Sequence, residues 1–179
     1  MARPLVVLAT VLGACASTGG MSIGSGHALS YHYLAPGPDS PERRAASAAL
    51  VAGEVAVEQG GEARTYDIER VGDHVIGHSS GVFLLEPGRY EVRAWEDHKG
   101  GMPEYYTLHA ELGAGRVYGL CPAWRATEEG KLVPARALCK DITDDMAGAG
   151  VLAHLKTAEV HEFVRPAKGE EGLGPAAPR

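Results

Sequence analysis

Arg89-Tyr90-Glu91-Val92-Arg93-Ala94-Trp95 alternates between two sets of side chains. Tyr90, Val92 and Ala94 form an apolar set, charged residues fill the other parity, and Trp95 continues the charged parity. Successive side chains of a strand point to opposite faces, so this pattern fits a half-buried strand and not a helix. The same period recurs where Tyr66, Ile68 and Arg70 alternate with Asp67 and Glu69. It recurs again in Tyr106 to Leu112, and where Val55 and Val57 alternate with Glu54 and Glu58. Gly60-Gly61, Gly72-Asp73, Pro87-Gly88, Gly100-Gly101 and Gly113-Ala114-Gly115 stand between the runs, part of a complement of 24 glycines and 11 prolines. Helices dislike that punctuation, whereas strands joined by tight turns need it.

Further strands are expected at His74 to Gly77, at Val82 to Leu85, at Val117 to Cys121 and at Leu132 to Leu138, while Ala28 to Leu34 reads as a first strand or an extended lead-in. About seven short strands with regular turns predict a mainly β domain, an antiparallel β-sandwich. Ser40-Pro41-Glu42 reads as an N-cap, a first-turn proline and an early acid, predicting a short helix through Ala45-Ala49. A short C-terminal helix is expected within 143–164, starting at Thr143 and weakened by Gly148 and Gly150.

The 179 residues suffice for one domain once targeting and tail segments are set aside. A net charge of −6 and the lack of any basic stripe argue against a nucleic-acid partner. Arg3 precedes the apolar run Leu5 to Leu12, and small residues Gly13-Ala14 come after it. That is the layout of an export signal, far short of the roughly 20 residues of a membrane-spanning helix. The expected organisation is a signal at 1–14, a flexible tether at 15–27, the β domain at 28–164 and a disordered Gly/Pro/Ala/Glu-rich tail at 165–179.

Leu12-Gly13-Ala14-Cys15 resembles the lipobox of bacterial lipoproteins. The resemblance implies cleavage before Cys15 and acylation of that residue, with palmitate among the chains. Several chains at about 0.8 kcal/mol per buried CH2 would hold the protein on a membrane. Ala16, where an aspartate would mark inner-membrane retention, resembles an outer-membrane sorting signal, placing the domain in the periplasm. The alternative is an ordinary secretory signal with Ala14-Cys15-Ala16 as its A-x-A site, cut before Ser17. If Cys15 is lipidated, Cys121 and Cys139 remain, and an oxidising envelope favours a disulfide between them. Its loop of about 18 residues would contribute roughly 3 kcal/mol. Two buried free thiols are the alternative.

Val82 to Val92, with Pro87-Gly88-Arg89-Tyr90 at its centre, resembles the strand, Pro-Gly-x-Tyr, strand hairpin of small bacterial envelope β-sandwiches. Transthyretin-like and carboxypeptidase-regulatory-like modules share that hairpin. Leu112-Gly113-Ala114-Gly115-Arg116-Val117-Tyr118 is similar to the next, Gly-x-x-Tyr strand of many small lipoproteins of that kind. The resemblance implies a fold, and those families have no common catalytic residue to carry over.

Gly77-His78-Ser79-Ser80-Gly81 spells the G-x-S-x-G nucleophile elbow, the basis of an alternative reading as a small secreted serine hydrolase using Ser79. An elbow needs a strand into the serine and a long helix out of it. Pro87-Gly88 leaves room for about one turn, so a strand after Ser79 is the expectation. Eight histidines invite a periplasmic metal-binding reading, but no H-E-x-x-H or C-x-x-C occurs, and no metal or cofactor is expected. Trp95, Tyr105, Tyr106 and Trp124 are candidates for a ligand-stacking surface. The composite expectation is a non-catalytic envelope protein, held to the membrane through Cys15, with a structural role or an envelope-protein or glycan partner.

Overall fold

The computed structural model describes residues 12–13, 30–55, 64–79, 81–97, 104–130 and 132–164. Cys15, the expected tether, the expected tail and all of the expected signal except Leu12–Gly13 lie outside them. The elements are β1 (Leu12–Gly13), β2 (Tyr31–Tyr33), α1 (Pro41–Ala46), β3 (Ala48–Val55), β4 (Arg64–Val71), β5 (His74–Ser79), β6 (Gly81–Leu85) and β7 (Gly88–Asp97). β8 (Glu104–Leu112), β9 (Val117–Ala126), β10 (Leu132–Asp141), α2 (Met146–Leu155) and β11 (Val160–Glu162) complete them. The chain is mainly β, as its alternation and turns predict.

The strands form two sheets that share β3. The first runs β11-β2-β6-β3-β9-β10, with β1 also paired to β9. The second joins β3 to β4, β4 to β5 and β7, and β7 to β8. Ala48–Ala52 of β3 pairs with β6, and Gly53–Val55 pairs with β4, so one strand passes from sheet to sheet. The expectation of purely antiparallel pairing does not hold. β11 with β2, β2 with β6, and β3 with β9 are parallel, while the second sheet is antiparallel throughout.

Burial explains the division. On β3, Ala48, Leu50 and Ala52 face one core cluster, with Phe83 and Leu85 from β6 and Tyr66, Ile68, Val92 and Ala94 from the second sheet. Their neighbours Ala49, Val51, Val82 and Leu84 face a second cluster, completed by Ile142 and by Val151 and Leu155 of α2. At β3 and β6 the first sheet is thus buried on both faces, which is why AALVA and GVFLL read as continuous apolar runs. The second sheet buries one face and therefore alternates.

Helix α1 begins as its cap chemistry predicts: the Ser40 hydroxyl accepts from the Arg43 N–H at 3.1 Å, with Pro41 opening the first turn. It ends at Ala46, and Ala48 is already in β3. Helix α2 starts after Asp145 and not at Thr143, because Thr143 is engaged with β9. Its hydroxyl oxygen accepts from the Val117 N–H at 2.9 Å and donates to Asp141 at 2.6 Å, pinning the helix approach. Gly148 suits close docking: a Cβ there would lie 2.0 Å from the Ile142 carbonyl oxygen.

The two tyrosine-bearing turn motifs mark crossings between sheets. β6 pairs only within the first sheet and β7 only within the second, so Pro87-Gly88 joins strands of different sheets and not the two arms of a hairpin. The Tyr90 hydroxyl donates to the Glu86 carbonyl at 2.8 Å and ties that corner. From β8 to β9 the chain crosses back, and there the Tyr118 hydroxyl oxygen accepts from the Gly113 N–H at 2.9 Å.

The expected Cys121–Cys139 disulfide is absent. Cys139 is a free thiol, and Cys121 is disulfide-bonded but not to Cys139. Register explains why. Cys121 stands opposite Leu138, and Cys139 opposite Leu120, so the two cysteines alternate to opposite faces of the β9–β10 pair. Their Cβ vectors diverge, and no sulfur bridge can span the sheet. Cys121 belongs to the face of Val117, while Cys139 packs on the cluster between the sheets.

Candidate functional site

The second sheet presents the only described sheet face whose strands carry regularly exposed side chains. Arg89, Glu91, Arg93 and Trp95 of β7 point away from the core, opposite Glu111, His109, Thr107 and Tyr105 of β8. Trp95 stands between Asp67 of β4 and Tyr105 of β8, so a carboxylate, an indole and a phenol form one row across three strands. Tyr105 is 51% exposed and Trp95 half-buried. The Arg93 guanidinium lies 5.2 Å from the Tyr105 ring centre and pairs with Glu69 at 2.7 Å. Arg70–Glu91 at 3.2 Å and Arg89–Glu111 at 3.6 Å continue the face as a lattice of exposed ion pairs.

Of the four aromatic candidates, Trp95 and Tyr105 are brought together. Tyr106 stands opposite Ala94 and turns to the inner face, packing on the core. Trp124 belongs to β9 in the other sheet, opposite Pro134. The adjacent tyrosines 105 and 106 serve opposite faces because strand period sends neighbours apart.

Behind the Trp95 row lies a polar cluster that sequence reasoning missed. Glu96 is 1% exposed, on the parity of Tyr90, Val92 and Ala94, and stands between Tyr66 of β4 and Glu104 of β8. Tyr106 donates its hydroxyl to Glu104, and burial together with that bond holds its proton far above the ordinary phenol range. The signal was present: carrying the inward parity of β7 one step past Ala94 reaches Glu96.

A third cluster clamps the loop before α1. The Tyr33 hydroxyl donates to Asp39 at 2.9 Å, Arg44 grips both oxygens of the same carboxylate, and Arg43 lies 3.7 Å from the centre of the Tyr33 ring. Arg43 also donates to the Ala35 carbonyl at 2.6 Å, and Arg44 to the Leu155 carbonyl at the end of α2. The Arg44 and then the Tyr33 hydrogen bonds outweigh desolvation and hold the Asp39 carboxyl at about 2. Burial, then the bond to Asp39, pushes Tyr33 up to about 12. Both groups are locked in one protonation state at neutral pH, which suits a structural clasp and not proton transfer.

Ser79 is the last residue of β5, opposite Ile68. The next element is strand β6, so the strand–turn–helix geometry of an elbow is not formed. Gly77 supplies a φ of +75° beside the irregularity in the β4–β5 pairing. Ser79 therefore ends a strand. Burial pushes the Cys139 thiol up to about 12, leaving it a poor nucleophile. Among the described residues no three His, Cys, Asp or Glu side chains converge to hold a metal ion, and no helix is long and apolar enough to cross a membrane.

No protein-family model, no curated protein and no solved structure matches the chain.

Proposed function

We propose that the chain is a lipid-anchored envelope protein that binds a glycan on the exposed face of the second sheet. The observation that carries the binding half is the row Asp67–Trp95–Tyr105, with Arg93 beside it. Sugar rings offer apolar C–H faces to aromatic side chains and hydroxyls to carboxylates and guanidinium groups. An open sheet face holding both in one row suits an extended saccharide chain better than a small enclosed ligand. The anchor half rests on the lipobox resemblance at Leu12 to Cys15 and on the export layout before it.

The binding half is tested by intrinsic tryptophan fluorescence and calorimetry against soluble envelope glycan fragments. Trp95→Ala and Tyr105→Ala should each weaken binding about tenfold or more, equal to about 1.4 kcal/mol, while Trp95→Phe retains part of it. Unchanged affinity in both alanine variants would sink this face as the site.

A second fate for the N-terminus rests on the cysteines. The chain has three, Cys139 is free and Cys121 is disulfide-bonded, so a disulfide at Cys15 is the fate to test against acylation. Leu12–Gly13 also pairs with Ala123 and Trp124 of β9. A Cys15 sulfur in a thioether to lipid cannot also form a disulfide, so the two fates exclude one another. Intact mass of the mature protein separates them. Diacylglyceryl plus fatty-acyl mass beginning at Cys15 upholds the anchor, whereas an unacylated N-terminus overturns it.

A further inference from the structure

His32 of β2 and His161 of β11 stand directly opposite one another in the parallel pairing of these strands. The His32 ring stacks on Phe83, with centres 6.1 Å apart, and meets Phe163 edge-on at 5.6 Å. Its Nδ1 is shielded from solvent and finds no hydrogen-bond partner among the described residues. A buried imidazole nitrogen without a partner is tolerable only while the ring is neutral. The strand it faces is three residues long and lies at the edge of the first sheet, continued by the Phe163 N–H, which donates to the Tyr33 carbonyl at 2.8 Å.

We infer that His32, facing His161, is an acid-sensitive latch on the C-terminal edge strand: when its buried ring takes up a solvent proton, the charge finds no partner there and β11 leaves β2. The surroundings offer little to offset the charge on His32. β6 contributes Phe83 and Gly81, the segment after β11 contributes Phe163, and Tyr31 and Tyr33 on β2 itself alternate to the other face. On β11's side the carboxylates are Glu159, 3.7 Å from His161, and Glu162, which stands opposite Tyr33 and not His32. Burial first, and then the neighbouring His161, lower the proton affinity of His32 below its usual value. The unfolded or released form thus binds the proton more tightly, so the closed form is stable at neutral pH and loses stability as pH falls below about 6.5. Release would bare the β2 edge.

Amide hydrogen exchange of the full chain, read as protection factors at pH 7.5 and pH 5.0, tests the latch. The Phe163 amide should lose about tenfold or more of its protection on acidification, the equivalent of one pKa unit. The Leu34 amide, bonded to the Leu84 carbonyl on the other side of β2, should hold its protection. His32→Gln should abolish the loss at Phe163, and His161→Gln should shrink it. If His32→Gln does not fold, His32→Phe adds a non-titrating ring to the aromatic cluster and serves the same purpose. Equal loss at Phe163 and Leu34 would mean global unfolding and overturn the inference. So would unchanged Phe163 protection, or the same loss in a variant lacking His32.

Discussion

The two sheets obey different rules. In the first, both parities of β3 and β6 are core: Leu50 and Phe83 face the second sheet, while Val51 and Leu84 face helix α2. In the second, Val92 and Ala94 are core, while Arg93 and Glu91 on the same strand are exposed. At β3 and β6 the first sheet is a scaffold, buried on both faces. The other can give a whole face to recognition, because changing an exposed residue costs little folding energy.

Substitutions at adjacent positions put this contrast at risk. The largest effects are expected in β6, where Phe83→Ala should cost about 3–5 kcal/mol and Leu84→Ala about 2–5, measured by denaturant unfolding. Two large losses at adjacent positions mark a strand with two core faces; a small loss at either would refute that for the first sheet. On β7, by contrast, Val92→Ala should cost well over 1 kcal/mol and Arg93→Ala about 1 or less.

Gly148→Ala comes next. Alanine raises helix propensity by about 1 kcal/mol, yet overpacking against the Ile142 carbonyl should reverse the sign and leave a net loss of about 1–3 kcal/mol. A stabilised variant would mean that α2 does not sit so close to the sheet. At the corners between sheets, Tyr90→Phe and Tyr118→Phe each remove one hydrogen bond and should lower stability by about 0.5–1.5 kcal/mol.

The clasp at Asp39 predicts a pH dependence of known sign. Its carboxyl is held at about 2, below the usual 3.8, so its contribution is present above pH 4 and is lost as pH falls towards 2. Asp39→Asn should flatten that part of the acid unfolding curve, and an unaltered curve would show that the clasp does not stabilise the fold. The smallest effect belongs to the exposed lattice of the second sheet: Arg89→Ala, whose side chain is 85% exposed, should change the melting temperature barely at all.

Much of the second sheet could be read from the chain. Arg89 to Trp95 named its own inward and outward residues, including the outward Trp95 that meets Tyr105. The first sheet was less legible, since a continuous run such as Gly81 to Leu85 says that a strand is buried but not which strands flank it. By spacing alone, Pro87-Gly88 looks like a hairpin. Its turn chemistry serves equally well for a corner between sheets, and only the pairing partners of β6 and β7 distinguish the two. The Cys121–Cys139 expectation failed for a related reason. Eighteen residues of loop permit closure, but the β9–β10 register sends the two sulfurs to opposite faces.

Alternation, turn residues and cap residues are local, and they suffice to make this chain build strands and to mark where helix α1 begins. Which strands run parallel, which sheet is covered twice, and which histidine meets which depend on contacts between residues far apart in sequence. Only the folded arrangement sets those, because burial is a property of what lies across the core and not of what lies next along the chain.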